Sequence, residues 1–400
     1  MANIPRPRVA VWREVWLADS ETFVRDQVRA MQRWDPFLVG LRRRPNVLGV
    51  EADLAPLATT RLTEARTQYL GTLGLRGRLV AGLREAGVDL VHAHFGTSAT
   101  HALPVARAAG LPLVVTFHGY DVTRTPTLRF PFGAEYRRRL AGVFDYASRL
   151  VAVSDFIAGE LVRLGAPEHK IVVRHIGIAI DDGAPAHLSP DDGASSLTPD
   201  DGASSDGQGP VDARRGVVFV GRLVAKKGVD HLLEAVALLP GEVRAEHPLV
   251  VIGDGPLRAG LESRARELGV DARFLGHLPP EEVRRRFAAA RVLGAPSRTA
   301  HDGDAEGFGM VFLEAAAQGT PAVAYRHGGV VEAVVDGRTG LLSDEGDVAG
   351  LTENLRQLLA DPGLARSLGE AGRARVLADF DIRRCTARLE DLYDEVRAER

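Results

Sequence analysis

Residues 217–228 read VVFVGRLVAKKG, an apolar run followed by a turn that carries three cations between two glycines. A continuous apolar run is typical of a strand in a parallel sheet, so we predict a buried strand over Val217–Val220 and a helix from Val229. The turn then lies at the carboxyl end of the strand, where open α/β folds bind ligands. Arg222 and Lys227 are therefore candidate phosphate ligands, with solvated surface charge as the alternative. Only three of the chain's 50 basic residues are lysines, which favours a specific role for those in this turn.

The alternation of apolar runs and amphipathic helices extends in both directions along the chain. It predicts an α/β protein with two doubly wound units, each a parallel sheet covered by helices on both faces. We assign residues 1–183 to an N-terminal Rossmann-like domain, 184–214 to a flexible linker, 215–378 to a C-terminal Rossmann-like domain and 379–400 to a helix that crosses back to the first domain. The predicted strands are Arg8–Trp12, Leu90–His94, Leu113–His118, Leu150–Val153, Ile171–Ile178, Val217–Val220, Leu249–Ile252, Arg273–Leu275, Val292–Ala295 and Ala322–Tyr325.

A polar repeat marks the linker. Ser189–Leu197 reads SPDDGASSL and Thr198–Asp206 reads TPDDGASSD. No apolar periodicity runs through these residues, so they cannot bury enough surface to offset the entropy of ordering. Calcium binding is the alternative interpretation, although the two copies lack the ligand pattern of an EF-hand loop.

The overall composition excludes several classes of protein. The chain has 400 residues and a formal net charge of −3, which argues against a nucleic-acid binder. Its single cysteine excludes an internal disulfide and a multi-thiolate metal site. We find no apolar run of membrane-spanning length and no signal-peptide core, so a cytoplasmic location is expected.

A second chemical segment is Glu306–Glu314, which reads EGFGMVFLE. Gly307 and Gly309 allow close backbone approach just before a predicted helix, whose free N–H groups and dipole suit a phosphate. Two carboxylates that flank such an anion site could hold two sets of hydroxyls. The alternative is a solvated glutamate beside an ordinary helix.

The first domain offers candidates at the ends of its strands. His118 follows a predicted buried strand and precedes a glycine, so it is expected to face the crevice between the domains, although a structural histidine is the commoner outcome. His94 ends the preceding strand and is a second candidate, and a metal shared with His118 is a weaker interpretation. Glu21 and Thr22, in the loop after the first strand, are candidates for contact with an acceptor.

Together these segments resemble the retaining glycosyltransferases of family GT4, which have the GT-B fold. The resemblance rests on the E-x7-E pair, the G-R-L-x3-K-G turn, and the stretches Gly253–Pro256 and His175–Asp181. The stretches Ser20–Val24, His118–Asp121 and Thr299–Gly307 are similar to the exopolysaccharide branch of the colanic-acid type. The repeat-bearing linker is not part of the family pattern, and the opening loop lacks the glycines of many relatives.

The resemblance implies roles for individual residues. His118, Arg222, Lys227 and Glu306 would be catalytic, and acceptor contacts would come from Glu21, Thr22, His94, Tyr120 and Asp121. The donor would be held by Gly221, Arg222, Lys227, Gly253, Gly255, His277, Leu278, Glu306, Gly307, Phe308, Gly309, Met310, Val311 and Glu314.

The resemblance also implies a reaction. A sugar would pass with retention from a nucleotide sugar, with UDP or GDP as the expected nucleotide, to a lipid-linked saccharide or a small molecule. No cofactor and no metal are expected, because cations and helix amides already stabilise the leaving diphosphate, and we interpret Asp302-Gly303-Asp304 as a polar turn. Alternatives are a nucleotide-sugar epimerase or phosphorylase of the same architecture and a non-catalytic nucleotide-binding protein.

Peripheral contact with the inner face of a membrane is a further hypothesis. All three tryptophans (Trp12, Trp16 and Trp34) fall in the first domain, which also contains the triplets Arg42–Arg44 and Arg137–Arg139. Tryptophan beside arginine suits an anionic bilayer surface. Ordinary packing together with surface charge is the alternative.

Overall fold

Two parallel sheets of six strands each form the frame of the protein. The computed structural model describes residues 6–17, 21–42, 48–56, 72–180 and 214–400, so nearly all of the predicted linker lies outside the described residues. The strands are β1 (Arg8–Val15), β2 (Asp35–Arg42), β3 (Leu90–His94), β4 (Leu113–Phe117), β5 (Arg149–Ala152), β6 (Ile171–Val173), β7 (Val217–Val220), β8 (Leu249–Ile252), β9 (Ala272–Gly276), β10 (Val292–Gly294), β11 (Ala322–Arg326) and β12 (Gly340–Asp344).

Helices cover both faces of each sheet, with additional short 3-10 turns at Thr125–Thr127, Glu168–Lys170 and Ala225–Lys227. The α-helices of the first domain are α1 (Thr22–Ala30), α2 (Thr72–Glu85), α3 (Gly96–Ala109), α4 (Tyr120–Thr123), α5 (Phe132–Tyr146) and α6 (Asp155–Arg163). Those that follow in the chain are α7 (Val229–Ala237), α8 (Gly241–Glu246), α9 (Arg258–Glu267), α10 (Pro280–Ala289), α11 (Met310–Ala317), α12 (Val330–Ala333), α13 (Val348–Ala360), α14 (Pro362–Asp379) and α15 (Ile382–Ala398).

The strand orders create a binding crevice in each domain. They are β2-β1-β3-β4-β5-β6 in the first sheet and β12-β11-β10-β7-β8-β9 in the second. In each sheet, the next strands in the chain are added on one side of the first strand (β1 or β7), and the remaining strands are then added on its other side. The loops after β1 and β3, and those after β7 and β10, therefore open at the points where doubly wound sheets bind ligands. The predicted α/β architecture is confirmed.

Two strands, β2 and β12, are not predicted from the sequence, and one predicted strand is shorter than expected. The sequence of β2 contains Pro36 and Gly40, which are poor strand residues, but β2 is an edge strand, where proline is tolerated. The predicted strand over Ile171–Ile178 ends at Val173. The chain leaves the sheet there because Ile178 pairs with the segment before α15 instead, and its amide donates to the Phe380 carbonyl at 2.9 Å.

Helix α15 packs against the first sheet, far from its neighbours in sequence. Leu389, Leu392 and Val396 are buried in the same apolar cluster as the first strands. The carboxylate of Glu390, only 1% exposed, accepts hydrogen bonds from three consecutive backbone amides that begin at Gln32. The three donors satisfy a carboxylate that would otherwise be buried without partners, so this contact fixes the tail on the first domain.

The tryptophans belong to the core of the first domain. Trp12, Trp16 and Trp34 are each at most 1% exposed. The hypothesis that they form a membrane surface is therefore wrong, because their rings are used in packing. Across the described ranges, none of the helices combines the length and the hydrophobicity needed to cross a bilayer.

Candidate active site

Glycines shape the cation turn that follows β7. Gly253 has φ 121°, and a Cβ there would lie 2.0 Å from the Gly221 carbonyl oxygen. A Cβ on Gly255 would lie 2.5 Å from the Leu223 carbonyl oxygen. Both positions therefore require glycine, because the loop after β8 packs directly on the turn. These glycines, predicted to contact the donor, also hold the turn in shape.

The two lysines of the turn reach across to the loop after β10. Lys226 Nζ lies 2.9 Å from Asp304 Oδ1, and Lys227 forms a salt bridge with Glu306. Burial alone would raise the pKa of Glu306, but the charges of Lys227 and Lys226 outweigh it and lower the pKa to about 2. Glu306 is thus an anion at neutral pH, held beside its cations. Arg222 stays exposed to solvent on the same turn.

Glu306 leads directly into the start of α11. Gly309 caps this helix with a left-handed φ of 91°, and the first turn follows at Met310 and Val311. Amides at the start of a helix have no intrahelical acceptor, so they are available to an anion. The Phe308 side chain is only 3% exposed, so this residue can offer the crevice little beyond its backbone.

Glu314 lies one turn inside α11, on the side facing Lys227. Burial raises its pKa, whereas the charge of Lys227 opposes the rise. The two glutamates of the E-x7-E pair therefore differ in character, because only Glu306 forms a salt bridge with a lysine. Glu314 remains able to accept hydrogen bonds from hydroxyl groups, with a greater tendency to be protonated than an ordinary glutamate.

The loop after β9 closes the same edge of the second sheet. The amide of Gly253 donates to the Gly276 carbonyl at 2.7 Å, which joins the loops after β8 and β9. His277 is exposed and Leu278 is partly exposed in the next two positions. Both are thus placed at the carboxyl edge of the sheet, on its outer side, next to the cation turn.

A cluster of histidines lies at the carboxyl ends of β3 and β4 in the first domain. His94 Nδ1 lies 3.1 Å from His118 Nε2, and the two rings stack with centroids 5.3 Å apart. Burial lowers the pKa of His118 well below its usual value, and the charge of Arg13 lowers it further. Burial likewise lowers the pKa of His94. Both imidazoles are therefore neutral at physiological pH.

Two residues predicted to contact the acceptor have other tasks. The Glu21 carboxylate forms a salt bridge with Arg13, and both side chains are less than 10% exposed. Asp121 is fully buried, and its carboxylate accepts hydrogen bonds from the amides of Gly96, His118 and Gly119. Each carboxylate is thus held by groups of its own domain, and its direct contact with an acceptor stays a prediction. They hold the strand ends that carry His94 and His118.

Of the other three predicted acceptor residues, His94 is buried, whereas Tyr120 and Thr22 remain accessible. Tyr120 is 38% exposed and stacks on Phe95, with ring centroids 5.1 Å apart. Thr22 begins α1 and is partly exposed. The sequence gives no signal for Phe95, whose φ of 70° is unusual for a residue with a side chain. Its ring lies between His118 and Tyr120, and Arg13 stands over it.

The two domains touch at this site. A Cβ on Gly307 would lie 2.1 Å from the His118 carbonyl oxygen, so the loop before α11 packs directly on the end of β4. The Gly307 carbonyl also accepts a hydrogen bond from Ser154 Oγ at 2.6 Å. The fold thus brings His118 from the first domain to Glu306 and the start of α11 from the second. Ser154 was missed by prediction, although it follows a buried strand like the others.

Comparison with known families agrees with this geometry. The model described as "Glycosyl transferases group 1" matches residues 204–375, and the model described as "Glycosyltransferase Family 4" matches residues 20–182. Together they cover both domains.

Characterised relatives are similar over most of the chain. A GDP-mannose-dependent alpha-(1-6)-phosphatidylinositol monomannoside mannosyltransferase of Mycolicibacterium smegmatis is 33% identical over 76% of this chain and 76% of its own. A D-inositol 3-phosphate glycosyltransferase of Streptomyces bingchenggensis is 32% identical over 88% of this chain and 76% of its own. A glycogen synthase of Mycobacterium tuberculosis is 32% identical over 77% of this chain and 69% of its own.

Solved structures show the same fold at lower identity. Sucrose-phosphate synthase of Thermosynechococcus elongatus superposes with a TM-score of 0.77 and 21% identity, covering 99% of this chain and all of the other. HepE of Anabaena in complex with UDP superposes with a TM-score of 0.74 and 17% identity, covering 98% of this chain and all of the other. The chain belongs to glycosyltransferase family 4: it is a glycosyltransferase with the GT-B fold.

Proposed function

We propose that the protein transfers a sugar from a nucleoside diphosphate to an acceptor hydroxyl with retention of configuration and without a metal ion. One observation carries the proposal: Lys227, Glu306 and the start of α11 converge on a crevice whose opposite wall is His118. A diphosphate placed there meets cations and helix amides together. The donor is a nucleotide sugar, as the name of the mannosyltransferase relative states for that enzyme.

Charge stabilisation of the leaving group is the main source of catalysis. Breaking the bond between sugar and phosphate builds negative charge on the departing diphosphate. Arg222, Lys227 and the amides of Met310 and Val311 stabilise that charge, and each such donor contributes about 10²-fold to the rate. When the diphosphate draws Lys227 toward it, Glu306 becomes available to the hydroxyls of the transferred sugar.

The acidic residues of the neighbouring loop support a metal-independent reaction. Asp304 is paired with Lys226, and Asp302 is paired with Arg124, with N–O distances of 2.9 and 2.6 Å. Carboxylates that bind a catalytic metal need their oxygens free for the ion. Within the described ranges there is also no cluster of three acidic, histidine or cysteine side chains arranged to hold one.

Retention is proposed from the family resemblance, and among the described residues the His118 wall offers no free carboxylate for a double displacement. Glu21 and Asp121 are the carboxylates of that wall, and both are held by partners inside their own domain. Attack of the acceptor on the face that the diphosphate leaves, with a phosphate oxygen taking the acceptor's proton, needs no protein nucleophile. His118 is neutral, so it adds no positive charge to this wall of the crevice.

The acceptor belongs to one of two classes, a lipid-linked saccharide or a small polar molecule. The names of the relatives include both classes of acceptor, because one relative is named for a phosphatidylinositol monomannoside and another for D-inositol 3-phosphate. We favour the lipid-linked class, because exposed phenylalanines and arginines of the first domain lie beside the wall that carries His118. Membership of the exopolysaccharide branch stays a prediction.

The test is a transfer assay with a panel of GDP-, UDP- and ADP-sugars, each with and without acceptors of both classes. We expect a product with unchanged anomeric configuration by NMR, formed equally well in the presence of a chelator. Arg222→Ala should lower turnover by about 10²-fold, because it removes one donor to the leaving diphosphate while it leaves the salt bridge between Lys227 and Glu306 intact. Donor turnover that proceeds without any acceptor would indicate an epimerase instead. Loss of activity with the chelator would overturn metal independence.

A further inference from the structure

An apolar group of side chains projects from the first domain between α4 and α5. Phe130 is 86% exposed, Phe132 is 68% exposed and Leu128 is 43% exposed. Of the large apolar side chains that the structure describes, Phe130 is the most exposed. Three such residues within one five-residue stretch are costly to leave in water unless they have a partner.

The backbone below these rings is firmly packed. A Cβ on Gly133 would lie 2.4 Å from the Leu128 carbonyl oxygen, so the stretch folds tightly on the start of α5. Thr127 Oγ1 donates to the Asp302 carbonyl at 3.0 Å, which ties the stretch to the second domain. The rings are therefore presented outward by a defined frame.

The same segment is strongly basic, whereas the chain as a whole is acidic. Residues 124–139 contain five arginines and one glutamate, a formal charge of +4, against −3 for the whole chain. Asp302 of the second domain pairs with Arg124, which leaves a formal charge of +3 at this surface. Arg138, with its side chain 74% exposed, shows that part of this charge faces solvent. We call Leu128, Phe130 and Phe132 with Arg124, Arg129 and Arg137–Arg139 the aromatic–arginine face.

We propose that the aromatic–arginine face docks the protein on an anionic lipid bilayer. Exposed aromatic rings enter the boundary between headgroups and acyl chains, while arginines beside them meet the lipid phosphates. A surface that is both apolar and basic complements anionic lipid in both respects. The face keeps Arg137–Arg139 from the membrane hypothesis based on the sequence and replaces its tryptophans with Leu128, Phe130 and Phe132.

The face adjoins the acceptor wall of the crevice. His118 and Tyr120 precede it directly in the chain, and Thr125 Oγ1 donates to the Tyr120 carbonyl at 2.9 Å. A bilayer held there would present a lipid-linked acceptor next to His118. The link to the acceptor rests on the proposed function, whereas binding of lipid by the face does not.

The test is flotation of the full-length protein with two kinds of vesicle, pure phosphatidylcholine and phosphatidylcholine mixed with phosphatidylglycerol. We expect the protein to float with the mixed vesicles, to bind neutral ones much more weakly and to be released by high salt. Phe130→Ser/Phe132→Ser should lower partition into the mixed vesicles by at least about tenfold. Leu238→Ser, which removes a 64% exposed leucine from the second domain, is the matched control and should bind like the original protein.

Activity assays separate this proposal from the transferase itself. Phe130→Ser/Phe132→Ser should transfer sugar to a water-soluble acceptor at the original rate and lose transfer to an acceptor embedded in vesicles. The proposal is wrong if the unsubstituted protein does not float with the mixed vesicles. It is also wrong if Phe130→Ser/Phe132→Ser binds these vesicles as well as the unsubstituted protein does. A dimer in solution that the double substitution dissociates, without binding to vesicles, would assign the face to a second copy of the chain.

Discussion

His94 Nδ1 lies 3.1 Å from His118 Nε2, so one of these atoms donates a hydrogen bond to the other. The contact couples the tautomers of the two rings, because whichever of the two nitrogens carries the proton, the other must be unprotonated. The remaining ring atoms, His94 Nε2 and His118 Nδ1, are buried and have no hydrogen-bond partner among the described residues. His94 is thus a positioning residue for His118, which we propose lies beside the transferred sugar.

Replacing His94 should impair turnover through the orientation of His118. His94→Leu removes the partner of His118 Nε2, and we expect kcat to fall by about tenfold. His94→Gln can still form the hydrogen bond and should retain most of the activity. Steady-state kinetics on both variants, together with their thermal unfolding, provides the measurement. Equal losses in the two variants at unchanged stability would contradict a role in orientation.

The buried histidines should make the first domain sensitive to mild acid. Burial lowers the pKa of His92 from 6.5 to about 3, so the unfolded chain takes up a proton below pH 6.5 that the folded chain rejects. The stabilising contribution is therefore complete above pH 6.5 and is lost as the pH falls from 6.5 toward 3. Each such histidine lowers the free energy of unfolding by at most about 1.4 kcal/mol per pH unit in that window.

Urea unfolding followed by tryptophan fluorescence tests this sensitivity, because all three tryptophans lie in the core of the domain that contains His92. His92→Gln cannot titrate and should flatten the dependence on pH by about 1.4 kcal/mol per unit below about pH 6. The variant will be less stable at neutral pH. The decisive quantity is therefore the slope of the free energy of unfolding against pH, and not the urea midpoint at a single pH. An unchanged slope would show that His92 does not carry the effect.

Sequence patterns predict strands and strand ends better than they predict which groups a side chain contacts. The continuous apolar run before Gly221 predicts its strand correctly, and Lys227 meets Glu306 although 79 positions separate them. Parallel strands explain this success, because all their carboxyl ends gather at one edge. The carboxylates of Glu21 and Asp121 could not be predicted, since a short polar segment does not reveal which distant groups will reach it.

Lys227 is expected to contribute to both stability and turnover. Lys227→Ala leaves the carboxylate of Glu306, 13% exposed, without its nearest cation. We expect the free energy of unfolding to fall by about 2 kcal/mol, less than for a fully buried pair because Lys226 remains nearby. Turnover should fall by about 10²-fold, because a donor to the leaving diphosphate is lost.

The double variant Lys227→Ala/Glu306→Gln separates the two effects. Removing the negative charge at Glu306 should restore most of the stability in urea unfolding, while activity stays as low as in Lys227→Ala or lower. Activity that recovers along with stability would mean that Lys227 acts only by neutralising Glu306, and would reject its role toward the diphosphate.

Gly307→Ala should separate the two walls of the site without unfolding either domain. The new methyl carbon would lie 2.1 Å from the His118 carbonyl oxygen, a distance at which the backbones must move apart. A displacement of about 1 Å between reacting groups can cost about 10²-fold in rate, so we expect a loss of that order in kcat. Gly260→Ala, at an exposed position where a Cβ meets nothing within 4 Å, is the matched control and should keep full activity. A Gly307→Ala protein with the original rate would show that contact between Gly307 and His118 is not needed for transfer.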